Sequence, residues 1–178
     1  MNKALKIILI LFIANITTSI NAHVQHYQNL KEIEFDIYRN NKFIGKHIFS
    51  FNREGDKLFV KSDINFKIKK LGVVLYKYKA EGTEIFKDGK LIEFKSKTNQ
   101  NGKKKFVNLK TEENNYNIEG SSFSGKAPFD YMLGTWWNHS IVNAKAQISA
   151  VSGRIIHQKV SFLGKETIEI NGKKYETL

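Results

Sequence analysis

The sequence has no cysteine, a single proline and no apolar run long enough to span a bilayer comfortably. Without cysteine there is no disulfide, no thiolate metal site and no thiol nucleophile. A bacterial lipoprotein anchor is excluded as well, because it needs a cysteine directly after the leader. A domain that lacks disulfides must be held together by its core alone. One proline and twelve glycines in 178 residues also argue against a long disordered stretch.

Catalytic signatures are equally scarce. There is no His-Glu-x-x-His, no phosphate-binding loop and no dinucleotide fingerprint. The cluster Ser121-Ser122-Phe123-Ser124 lacks the Gly-x-Ser-x-Gly spacing of a nucleophile elbow. Glu112-Glu113 stands beside Asn114-Asn115 and reads as a solvated turn. The expectation is a protein that is not an enzyme and has no catalytic residue, metal site or cofactor. His23 and His26 could chelate Cu(II) only after cleavage at Ala22, and no further histidine stands at a ligand spacing.

What is present begins with a leader. Lys3 and Lys6 precede the uncharged run Ile7 to Ile13, and Ala22 supplies the small residue of a cleavage site. Asn15, Thr17, Thr18 and Ser19 weaken the segment as a membrane anchor. This divides the chain into a signal peptide, residues 1–22, and one β domain, residues 23–178. The mature protein is expected in the periplasm or secreted, and not integral to the membrane. Net charge is +12, and removal of Lys3 and Lys6 leaves about +10. Lysines are spread along the chain, where they also protect sheet edges.

From Lys31 onward the pattern alternates with period two. Ile33, Phe35 and Ile37 alternate with acids, and Phe43 to Asn52 returns after a turn at Arg39 to Lys42. The clearest strand places Leu58, Val60, Ile64, Phe66 and Ile68 on one face. Lys57, Lys61, Asp63, Asn65, Lys67 and Lys69 take the other. At ~3.3 Å per residue it is about 43 Å long, so its sheet must coil. Further strands are expected over Val73 to Lys87 and Lys90 to Asn99, around Phe106 to Leu109, and around Tyr116 and Ile118. Asp88-Gly89 and Asn101-Gly102 are two-residue hairpin turns. Gly120 to Ala127 reads as a loop, Phe129 to Trp137 as a short helix opened by Pro128, and Arg154 to Leu163 as a strand. Asn171-Gly172 predicts that Lys173 to Leu178 pairs antiparallel with Glu166 to Ile170. The alternation has barely begun when the chain stops at Leu178, an end compatible with a natural edge strand or with a truncated reading frame.

The fold class is therefore mainly β. Hairpins joined by short turns predict a long antiparallel up-and-down meander, a curved sheet or half-barrel with one short helix on its concave face. A closed lipocalin-like barrel is the alternative. Trp136-Trp137 would send one indole into the core and one to a groove or interface, and Tyr76 and Tyr78 are the aromatic candidates on the sheet. Lys67 to Lys70 and Tyr76 to Lys79 have the look of a nucleic-acid surface, but an exported address argues against that partner.

The order of these features resembles uncharacterised exported β proteins of Gram-negative bacteria grouped in domain-of-unknown-function families. The features are the leader, the Phe43-Ile44-Gly45 return, the meander, Trp137-Asn138, Ser152-Gly153 and Gly164-Lys165-Glu166 before Asn171-Gly172. The resemblance implies a periplasmic setting and a sheet similar to lipid-carrier folds, with no catalytic residues to carry over. The expected function is a non-enzymatic binder of a lipid or other hydrophobic partner in a curved-sheet groove. The alternative is a structural or assembly partner that docks on anionic envelope components.

Overall fold

The computed structural model describes residues 29–170 and 172–177. The leader expected over residues 1–22 lies outside them. Eight strands follow one another in space as they do in sequence, each antiparallel to the next. They are β1 (Glu32–Arg39), β2 (Lys42–Glu54), β3 (Lys57–Lys70), β4 (Val73–Lys87), β5 (Lys90–Gln100), β6 (Lys103–Thr111), β7 (Tyr116–Gly120) and β8 (Ser124–Ala127). The sheet is open: β1 and β8 are its two edges and do not pair with each other. The meander is as expected, and the closed barrel is not formed. The segment read as a loop after Gly120 contains β8, whose residues Ser124 to Ala127 pair with Glu119 to Tyr116.

The alternation sets the two faces. In β3, Leu58 and Val60 are buried, the even-numbered residues to Ile68 are half-buried, and the lysines point to solvent. Phe49, Phe51, Leu58, Val60, Phe86, Phe94, Val107, Leu109 and Ile118 form the sheet's half of one core. Burying each such side chain contributes roughly 1.5–3 kcal/mol. The other half comes from a cover over one end of this face. It consists of β9 (Tyr131–Leu133), a 3-10 turn at His139–Asn143, β10 (Ala146–Ile148) and β11 (Ile155–His157). Leu133, Trp137, Ile141, Ala146 and Ile148 are its buried residues.

The cover corrects two expectations. Phe129 to Trp137 is not a helix: Tyr131 to Leu133 instead runs parallel to β10, with Tyr131 opposite Ala146 and Leu133 opposite Ile148. The Gly134 N–H then bonds the Ile148 carbonyl at 2.9 Å, and Trp136 sits at φ 69°, a left-handed conformation that no α-helix admits. The single helical turn begins two residues beyond Trp137. The strand expected over Arg154 to Leu163 is confined to Ile155–His157, because no strand among the described residues pairs with 159–163, and Phe162 and Leu163 are exposed. Strands β12 (Glu166–Ile170) and β13 (Lys173–Thr177) form a separate two-stranded hairpin in the expected register, Glu166 opposite Thr177 and Ile170 opposite Lys173.

Candidate functional site

In β4 the inward phase reads Tyr76, Tyr78, Ala80, Gly82, Glu84, Phe86. Glu84 therefore faces the core, flanked across the sheet by Val60 on β3 and Phe94 on β5. It is 3% exposed, and both flanking side chains are buried. A carboxyl in such surroundings must find hydrogen-bond donors or become neutral. It does both. The indole Nε1 of Trp137 donates to Oε1 at 2.7 Å, and the Thr135 side chain makes a second bond. Desolvation nevertheless dominates and pushes the Glu84 pKa up to about 7, against the opposing pull of the Trp137 and Thr135 bonds. Below neutral pH the group is an uncharged acid that can donate as well as accept.

Trp137 is fixed by aromatic edges. Phe51 meets it at 5.3 Å and 79°, and Phe86 at 5.6 Å and 86°, the T-shaped geometry that ring quadrupoles favour. The turn that follows is capped by Asn138, whose side chain accepts from the Ser140 N–H at 3.0 Å. These contacts anchor the cover over the sheet.

A cleft of about 1070 Å³ lies between the sheet and the cover, and Glu84 lines it. Its apolar walls are Leu58, Phe86 and Leu91 from the sheet and Phe129 and Leu133 from the cover. Thr135 and Glu84 are polar groups within it. Its rim includes the β2–β3 and β4–β5 turns, with Arg53, Asp56, Lys57, Asp88 and Lys90; Asp56 pairs with Lys87 at 3.0 Å. An apolar floor, a polar and charged rim and a strongly perturbed acid make this cleft the candidate site. Among the described residues no three His, Asp or Glu side chains stand close enough to hold a metal ion, and no helix is long and apolar enough to cross a membrane.

The four aromatic residues singled out from sequence are not brought together. Trp137 is buried against Glu84, while Trp136 is 69% exposed beside it. Tyr78 and Tyr76 occupy the inward phase of β4 at its opposite end, about 20 Å and about 26 Å from Glu84 at strand spacing. There Phe66 stacks on Tyr78 at 5.0 Å and on Tyr76 at 6.0 Å. Burial raises the Tyr78 pKa. Glu84 itself was missed, although a glutamate in the apolar phase of an alternating strand was a usable signal.

An open eight-stranded meander, covered at one end of one face and holding a buried acid in the intervening cleft, defines a β domain built around a single-sided site. The chain belongs to the family DUF6134, a domain of unknown function, whose pattern matches residues 35–178. No curated protein and no solved structure matches it.

Proposed function

We propose that this protein is a non-enzymatic, exported binder of a lipid or similar apolar molecule, held in the cleft between the sheet and its cover. The observation that carries the reading is the cleft's composition: Leu58, Phe86, Leu91, Phe129 and Leu133 around one buried carboxyl. Apolar walls favour a hydrocarbon portion. A neutral Glu84 suits an uncharged hydrogen-bonding end such as a hydroxyl or amide. The leader read from Lys3 to Ala22 supports a periplasmic or secreted setting, where the partner is an envelope lipid. Native mass spectrometry of protein extracted without detergent tests this. A stoichiometric apolar adduct, released by organic solvent, is expected. A bare spectrum together with no uptake of neutral acyl probes would overturn the reading.

A further inference from the structure

Antiparallel alternation sends the turns of the meander to two ends. The β2–β3 and β4–β5 turns stand at the cleft and mix Glu54, Asp56 and Asp88 with Arg53, Lys57, Lys87 and Lys90. The β1–β2, β3–β4 and β5–β6 turns stand at the other end. They carry Arg39 and Lys42, Lys69 and Lys70, and Lys103 and Lys104, and no Asp or Glu occurs in residues 38–43, 64–80 or 99–105. The sheet thus carries mixed charge at the cleft end and only positive charge at the far end.

The middle turn of the basic end also projects. Pairing between β2 and β3 starts at Gly45–Phe66, and pairing between β4 and β5 starts at Tyr78–Gln100. Residues 68–76 therefore form a two-stranded finger that pairs with neither β2 nor β5. Its tip is apolar: Leu71 is 95% exposed, and Val73, Val74 and Leu75 are exposed behind it. Tyr38 and Phe43 are exposed at the adjacent turn, their rings 5.9 Å apart.

Leu71 is the wrong residue for its turn. Three other two-residue turns of the meander place Asn40-Asn41, Asp88-Gly89 and Asn101-Gly102 at positive φ, and Gly55-Asp56 places its glycine there. Asn, Asp and Gly suit that conformation, and a leucine side chain is strained there. Leu71 nonetheless adopts φ 50° before Gly72 at φ 81°. Folding gains nothing from a strained, fully solvated leucine, so the residue answers to something outside the domain. Lys67, Lys69, Lys70 and Lys77 beside it are in none of the ion pairs among the described residues. An apolar tip inside a ring of cations complements a bilayer whose surface is anionic.

We propose that the β3–β4 finger is a membrane-docking element, in which Leu71, Val73 and Val74 enter the headgroup region of an anionic bilayer while Lys69 and Lys70 and the neighbouring basic turns hold its surface. This orients the cleft mouth away from the lipid plane, and it does not depend on what the cleft binds.

The test is co-sedimentation of the protein, in the form the cell accumulates, with phosphatidylglycerol-containing vesicles and with pure phosphatidylcholine vesicles. Leu71→Asn restores a favoured turn residue. It should raise the melting temperature while weakening binding to anionic vesicles by about tenfold or more. Lys69→Gln with Lys70→Gln should cost roughly thirtyfold, and wild-type binding should fade with added salt. Equal binding to both vesicle types would overturn the proposal. So would loss with the lysine variant but none with Leu71→Asn, which would mark a general polyanion surface such as one for RNA.

Discussion

Trp137 Nε1 stands 2.7 Å from Glu84 Oε1 across the seam between cover and sheet. This contact joins sheet and cover at the one place among the described residues where an acidic or basic side chain is buried. Its consequences are chemical as well as structural. The carboxyl is brought to the point of titrating near neutral pH, and the indole that lines up on it is locked between Phe51 and Phe86.

Stability should therefore fall as pH rises through neutrality. Glu84 is raised from 4.5 to about 7 in the folded state, so the folded chain holds a proton that the unfolded chain releases. Its favourable contribution is complete below pH 4.5 and is lost by about pH 7 and above. The full loss is on the order of 3 kcal/mol. Glu84→Gln keeps an oxygen for the indole and cannot ionise. Urea unfolding at pH 5 and pH 8 should show the variant more stable than wild type at pH 8 and little changed at pH 5. An identical pH slope in both proteins would remove Glu84 as its source.

Trp137→Phe should cost about 2–4 kcal/mol, because it leaves a void between Phe51 and Phe86 and takes a donor from a buried acid. The Trp137 bond lowers the Glu84 pKa, so in the variant the carboxyl should titrate higher still. Carboxyl titration by ¹³C NMR reads that shift directly. A lower pKa in the variant would contradict the account.

His47 gives the opposite pH dependence. It lies on β2 with its ring 4.1 Å from Phe49 and 6.2 Å from Phe35. Its Nε2 is buried without a hydrogen-bond partner among the described residues. Burial lowers its pKa, against a weaker pull from Asp63. Its folded form resists protonation, so its contribution is lost as pH falls below 6.5. His47→Phe should abolish that acid-side loss and add about 1–2 kcal/mol by removing an unsatisfied polar atom. Thermal melts at pH 5 and pH 7 check both effects.

The meander was legible because each long strand carries its own alternation and each hairpin its own turn residues. Leu58 to Ile68 and Asp88-Gly89 specify their local structure without help from distant parts of the chain. The cover was not legible, because its elements are fixed by partners far away in sequence. Tyr131 to Leu133 becomes a strand only because Ala146 to Ile148 lies beside it. Phe162 and Leu163 look like strand residues but pair with no strand among the described residues. The pair Trp136-Trp137 indicates one core indole and one outward indole without distinguishing them; that Trp137 is the inner one, bonded to a residue 53 positions earlier, follows from the sheet register and the cover together.

The cleft is tested most directly by the affinity of a neutral fluorescent acyl probe for wild type, Phe129→Ala and Tyr76→Ala. Phe129 walls the cleft, and Tyr76 lies on the same face of the sheet at its far end. Loss of the Phe129 ring should weaken binding by about tenfold or more, while Tyr76→Ala leaves it unchanged. Weakening by Tyr76→Ala with none from Phe129→Ala, or no saturable binding to wild type, would contradict the assignment of the cleft as the ligand site.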